Sequence, residues 1–442
     1  MYLTAHRYLR IASFTLFYLA QGLPIGIISI ALPAWLAEQG AAPAQIAAFV
    51  AISGLPWGFK LFAGPLMDRF SFLAMGRRRP WVILAQGGLL GAMCLMGTTP
   101  DPVNNLTLLT WLAFCVNACA AIQDVAVDGM AIDVLPEDER GRANAFMAFG
   151  QVAGYSGSAA VAAWALVNFG LMGATWMLAT GVLFIFAWSI LVRERQGERL
   201  LPWSEGGASD RSIALQATDW TSIFSNLLRV MFLPASLLLI VVTLFWRIQA
   251  GFWITATPII VVSDLGYAST DYSNWTATAG FVAACSGLVF GPLIDKTGTR
   301  TLLLCALFGL VGLHLSVYLL TDLWSISWFP LAVLFADSFL SQIAFICFIA
   351  LHMNICWDRV SATQFAIYMA WANLARSIGA WIYGQASPWL ETPEVFLVMG
   401  LSALVAALLL LMVNLDQHRE RIDNLQEIKS RPPAGSRPQG EF

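Results

Sequence analysis

Two carboxylates four residues apart, Asp124 and Asp128, lie inside an apolar run long enough to cross a membrane. On a helix that spacing sends both side chains from one face, one turn above the other. An ionisable group at such depth costs about 3 kcal/mol or more, so the face must look into a water-filled cavity or at a partner. Lys60 and Asp128 lie at similar depth, each about six to eight residues before the end of its own run. The matching depths predict an ion pair between them. One lysine facing two acids leaves a negative charge in excess, which favours proton uptake by one of the acids. Asp124, Asp128 and Lys60 are thus the proton-coupling candidates, and a fixed Lys60–Asp128 salt bridge is the structural alternative.

Arg247 and Arg376 are the other charges inside apolar runs. A guanidinium is always charged and grips carboxylate or phosphate bidentately, so an anionic solute would suit it. The alternative for Arg376 is an internal pair with Asp337. Trp246, next to Arg247, could stack on a ring of the solute; most of the 18 Trp residues read as a belt at the membrane surfaces.

The elements that hold these residues follow from composition. A chain of 442 residues with 58 % apolar and 12 % charged residues is not soluble. Its apolar runs predict twelve transmembrane helices, near 9–36, 44–66, 80–97, 107–135, 142–168 and 173–192, then 232–261, 271–293, 301–320, 329–356, 362–386 and 394–415. The expected division is therefore a six-helix bundle over 1–192, a polar linker over 193–229, a second six-helix bundle over 230–416, and a disordered tail over 417–442. The N-terminal run is too long for a cleaved signal peptide and is read as the first span. All 24 Lys and Arg residues except Lys60, Arg247 and Arg376 fall in the N-terminus, the even-numbered loops or the tail. The opposite loops carry Glu38, Asp101, Asp264, Asp322, Glu391 and Glu394. By the positive-inside rule both termini are cytoplasmic.

Gly64-Pro65-Leu66-Met67-Asp68-Arg69 recurs as Gly291-Pro292-Leu293-Ile294-Asp295-Lys296, 227 residues later, and basic clusters follow both: Gly76-Arg77-Arg78-Arg79 and Gly298-Thr299-Arg300. At equivalent places in two six-span halves this repeat means duplication. Both copies resemble the loop signature of the major facilitator superfamily. That resemblance implies two pseudo-symmetric halves and a cytoplasmic gate built from Gly64, Asp68, Arg69, Arg77, Arg78, Gly291, Asp295, Lys296 and Arg300. Gly22-Leu23-Pro24, Phe59-Lys60, Gln123-Asp124, Asp133-Val134-Leu135-Pro136, Glu139-Arg140-Gly141 and Ala362-Thr363-Gln364-Phe365-Ala366 are similar to the AmpG branch, whose members carry muropeptides, acetyl-CoA or siderophores.

In that superfamily the first and fourth helices of each half line the cavity. The resemblance thus places there Gln21, Gln123, Asp124 and Asp128 from the first half, and Arg247, Gln249, Asp337, Gln342 and His352 from the second. Gln21, Gln123, Arg247, Trp246, Gln249, Asp337 and Arg376 are the substrate-binding candidates. The implied function is proton-coupled import of a bulky anionic solute such as a muropeptide by a monomeric permease of a bacterial inner membrane. Siderophore or acetyl-CoA transport is the alternative.

Other classes find less support. No G-x-x-x-x-G-K-[ST] loop offers a phosphate cradle, and no H-E-x-x-H or G-x-S-x-G motif supports a membrane hydrolase. A sensor without flux would have to use the linker or tail. No cofactor, metal or nucleic-acid partner is indicated. The seven cysteines sit in or beside apolar runs without a C-x-x-C pair and read as inert thiols. Gly54-Leu55-Pro56, Gly150, Gly154, Gly157 and Gly287 fit close helix crossings.

Overall fold

A computed structural model of the protein describes residues 1–70, 72–214, 227–357 and 361–430. Among the described residues it is helical, with one isolated bridge between Tyr2 and Arg193. The helices are α1 (Arg7–Gly26), α2 (Leu32–Glu38), α3 (Pro43–Gly54), α4 (Pro56–Phe59), α5 (Ala63–Arg69), α6 (Arg79–Gly97), α7 (Leu106–Val134), α8 (Glu137–Leu191) and α9 (Asp210–Ala214). The second part adds α10 (Pro234–Ile259), α11 (Ser269–Thr297), α12 (Thr299–Leu319), α13 (Trp328–Asn354), α14 (Ser361–Ala386), α15 (Thr392–Leu411) and α16 (Leu415–Ser430). Eight of the described helical rods are long and apolar enough by themselves to cross a membrane.

Several rods are interrupted, and each break has a local cause. A π-helical turn, Ile27–Ala31, joins α1 to α2, and a second, Ile260–Asp264, extends α10. Each follows a proline within the preceding helix, Pro24 and Pro258, which removes an amide donor and loosens the ladder. The second rod breaks at Pro56 and again at a 3₁₀ turn, Lys60–Phe62, which carries the buried lysine. The rods expected near 142–168 and 173–192 follow one another within α8 as two helices, broken at Gly170, whose φ of 66° suits glycine alone.

Two pairs of rods cross at backbone contact. A Cβ on Gly22 or Gly154 would strike the facing backbone of α8 or α1, and one on Gly251 or Gly379 would strike α14 or α10. Small residues spaced for such a crossing let two helices in lipid gain packing that lipid itself cannot supply. Gly157 faces open space and takes no part; the side of Gly287 lies outside the described residues.

Three expectations change. The charged stretch after α7, read as a loop through residue 142, is helical from Glu137. The gate motifs are not loops either: Gly64, Asp68 and Arg69 belong to α5, and Gly291, Asp295 and Lys296 to α11. The tail, expected to be disordered from residue 417, is helical as α16 to Ser430. Its apolar Ile422 packs on Val230 and Trp357, and the His418 ring bonds the Ile355 carbonyl at 3.0 Å. That contact stabilises a helix which composition alone could not.

Candidate transport pathway

The first cluster is built from α1, α7 and the 3₁₀ turn. Lys60 Nζ lies 2.7 Å from Asp124 Oδ2, and Gln21 Nε2 donates to Asp124 Oδ1 at 2.5 Å. Asp128, one turn further along the same face, accepts a hydrogen bond from the Tyr18 hydroxyl. The predicted partner of Lys60 is therefore wrong: the ammonium takes Asp124, because the 3₁₀ turn alters both rise and rotation at Lys60. Tyr18 was not among the sequence candidates. Its signal was available, since Tyr18 and Gln21 are three apart on α1 and share a face. Gln123 points elsewhere, donating to the Phe17 carbonyl at 2.6 Å and bracing α7 against α1.

In the second part, Arg247 Nε donates to the Ala372 carbonyl at 3.1 Å, and its guanidinium lies 5.1 Å from the Trp246 ring. The charge acting on it is Arg376, of the same sign. Among the described residues no carboxylate pairs with either arginine. Asp337 does not meet Arg376. It lies 3.1 Å from His314 Nε2 and accepts from Ser341 at 3.3 Å and Gln249 at 3.4 Å. His314 is a further residue the sequence reading passed over. Trp246, 3 % exposed, packs on Phe348 inside a core cluster, so a solute cannot stack on it in this conformation. His352, also fully buried, bonds the Phe348 carbonyl and braces α13.

The face bearing the basic loops carries a separate network. Arg77 Nη1 pairs with Asp133 at 3.1 Å, and Arg78 reaches the same carboxylate at 3.9 Å. Arg10 and Glu139 join the starts of α1 and α8 at 2.7 Å. Behind Gly76, the carboxylate of Glu194 accepts the backbone amides of Arg77, Arg78 and Arg79 at 3.1, 2.7 and 2.6 Å. It caps the start of α6 where free amides and the helix dipole both favour an anion. Burial raises Glu194 above the ordinary carboxylate range in spite of those donors. Burial, reinforced by the charge of Glu194, pushes Glu198 up to about 7. The second copy is wired differently. Arg300 grips the last carbonyls of α15, Leu411 at 2.7 Å; the side chains of Asp68, Arg69, Asp295 and Lys296 lie outside the described residues.

On the opposite face the two parts touch. Ser269 of α11 donates to Glu38 at 2.5 Å, and Ser263 donates to the Ala37 carbonyl at 3.3 Å. The π-turn ends of both rods are thus drawn together, closing that side.

Comparison with known proteins decides the family. The model of the Major Facilitator Superfamily matches residues 14–380. The chain belongs to the Major Facilitator Superfamily. Within that superfamily it is AmpG-like: it is 26 % identical to the anhydromuropeptide permease of Escherichia coli (strain K12), covering 89 % of this chain and 77 % of that one. It is 23 % identical to the putative transporter AmpG 4 of Rickettsia conorii, covering 90 % and 94 %. The superfamily fold is shared with a solved D-xylose-proton symporter, TM-score 0.66 at 14 % identity over 91 % of this chain and 97 % of that one. The xylose transporter XylE from E. coli in an inward open conformation gives 0.65 at 15 % identity, over 92 % and 96 %. The protein is a multi-pass membrane transporter of the secondary type, and not an enzyme.

Proposed function

We propose that this transporter imports a bulky anionic solute of the muropeptide type together with protons, across a bacterial inner membrane, with both termini in the cytoplasm. One observation carries the reading: unpaired charge is divided unequally between the two parts. In the first, Lys60 is committed to Asp124, which leaves Asp128 with a hydroxyl donor and, among the described residues, no cation of its own. In the second, Arg247 lies under the like charge of Arg376, and among the described residues neither pairs with a carboxylate. A proton on Asp128 and an anionic group on the arginines would neutralise both, and neither charge is stable at membrane depth alone. Asp128 is then the proton carrier, Lys60 and Asp124 hold it in place, and Arg247 with Arg376 is the anion subsite.

The reading implies twelve spans in two halves, 1–192 and 230–416, joined by the linker over 193–229. Closure at Glu38 and Ser269 is one state of alternating access, and the gate motif with Arg77 and Arg78 serves the cytoplasmic mouth. The anhydromuropeptide permease relatives support a muropeptide as cargo.

The test is uptake into proteoliposomes of an anhydromuropeptide, a ferric siderophore and acetyl-CoA, with and without an inward proton gradient. Gradient-dependent uptake of the muropeptide is expected, abolished by an uncoupler. Asp128→Asn should transport without responding to the gradient. Arg247→Gln and Arg376→Gln should each weaken affinity at least about tenfold, since a charge-assisted contact in a desolvated site contributes about 1.5–3 kcal/mol. Wild-type affinity in both arginine variants would remove the anion subsite, and a gradient response in Asp128→Asn would remove the carrier.

A further inference from the structure

The pair His314–Asp337 lies apart from the Asp124 and Asp128 cluster, on α12 and α13, at 0 % and 2 % exposure. We propose that it is a second proton-binding site, in which one proton is shared between the imidazole and the carboxylate. The proposal rests on the protein being a transporter and not on Asp128 being the carrier.

Charge and hydrogen bonds together single out this pair. Asp337 accepts from Gln249 on α10, Ser341 on α13 and His314 on α12, all side chains that can be neutral. Among the described residues no lysine or arginine pairs with it. Trp253 of α10 and Phe396 of α15 lay their rings beside His314, with centroids at 5.9 and 6.2 Å. Among the described residues, Tyr272 of α11 is a further titratable group on which the charge of Asp337 acts. A carboxylate at this depth without a cation calls for a proton.

The imidazole makes that proton awkward to hold. His314 Nδ1 is buried without a partner. If Nε2 carries the only ring hydrogen and donates to Asp337, Nδ1 is a bare lone pair and every N–H is satisfied, but the pair has a net negative charge. If the pair is neutral, as imidazolium with carboxylate or as imidazole with carboxylic acid, Nδ1 carries a hydrogen that finds no acceptor. Each state lacks one thing: a counter-charge in the first, an acceptor in the second. A water at Nδ1 would supply the acceptor, and the arriving proton has that nitrogen as its open position.

A small cavity lies beside the rings that flank His314. It measures about 10 Å³ and has a mostly apolar wall that includes Trp253, Thr257, Ile260, Trp324, Val333 and Phe396. Two of those rings are the ones beside His314. The cavity lies towards the end of α10 that precedes the closed contact at Ser263, so a shift of the aromatic rings as that face opens would hydrate the pair from that side. This makes the site a proton acceptor linked to opening of the face opposite the basic loops.

The test needs neither solute nor gradient. Protons taken up by the purified full-length protein in nanodiscs are counted between about pH 8 and about pH 5, spanning the ordinary titration of histidine. Asp337→Asn and His314→Gln should each lower the count by about one, and the double variant by about one rather than two, because a single proton is shared. Unchanged counts in both single variants, or a loss of about two in the double, would overturn the proposal. Should a variant fail to fold, nitrogen NMR of the wild-type histidines decides: one buried ring must gain hydrogen at Nδ1 across that range, and a ring fixed in one tautomer throughout counts against the site. Wild-type liposome uptake that ignores the proton gradient would refute coupling while leaving the proton count to judge this pair by itself.

Discussion

Replacing Lys60 by Met removes an ammonium 2.7 Å from Asp124 and leaves a carboxylate whose side chain is 7 % exposed, with Gln21 as its remaining donor. Stripping one partner from a buried pair costs about 3–5 kcal/mol. The lysine side chain is 19 % exposed, so part of its charge was already hydrated and the lower end, about 3 kcal/mol, applies. Asp124→Asn strands the ammonium instead, which can lean towards water, and should cost less, about 1–2 kcal/mol. In the double variant neither position of the pair holds a stranded charge, and the amide oxygen introduced in place of the carboxylate can still accept from Gln21. Its stability should return to within about 1 kcal/mol of wild type, giving a coupling energy of at least about 3 kcal/mol, roughly a hundredfold or more in the unfolding equilibrium. Denaturant titration of the four proteins in one detergent measures it. Additive losses would refute the assignment. So would rescue of Lys60→Met by Asp128→Asn in place of Asp124→Asn, the outcome that matching depths alone would predict.

Glu198, at about 7, titrates above the ordinary value of 4.5, so the docked linker binds its proton more tightly than the undocked one. Its stabilisation is complete below about pH 4.5 and is lost as pH rises through about 7. Protease cutting of the linker should therefore increase over that window, and Glu198→Gln should flatten the rise. At the α1–α8 crossing, Gly154→Val forces a side chain against the Leu19 carbonyl and Gly22, and should cost about 1–3 kcal/mol or prevent folding. Gly157→Ala, which faces open space, should lie within about 0.5 kcal/mol of wild type in the same unfolding assay.

Hydropathy located most of the rods within a few residues, because lipid demands long apolar helices whatever the tertiary structure. Partners were harder to read than positions. Asp124 and Asp128 do share a face, yet one takes Lys60 and Gln21 and the other Tyr18, a division made by the 3₁₀ turn at Lys60 that no periodicity announces. Arg376 and Asp337 looked like complementary debts, but complementary charge says nothing about distance, and His314 holds the acid. Trp246 neighbours Arg247 in sequence and for that reason leaves the helix at a different angle, into the core. The helical tail depended on a docking surface formed by Val230 and Trp357, residues far from it in the chain.

The paired π-turns bear on how such a transporter should be drawn as a helical wheel. A π-turn holds one residue more than the α-turn it replaces, so everything beyond it is offset by about 100° from the phase of the residues before it. The rod beginning with α1 can therefore press Gly22 against α8 on one side of its π-turn and hand Glu38 to Ser269 of α11 on the other. The rod beginning with α10 presses Gly251 against α14 before its π-turn, and Ser263, within that turn, reaches the Ala37 carbonyl. Each rod is two helices in angular register and one in length, and a single wheel through either would assign its gate residues to the wrong neighbour.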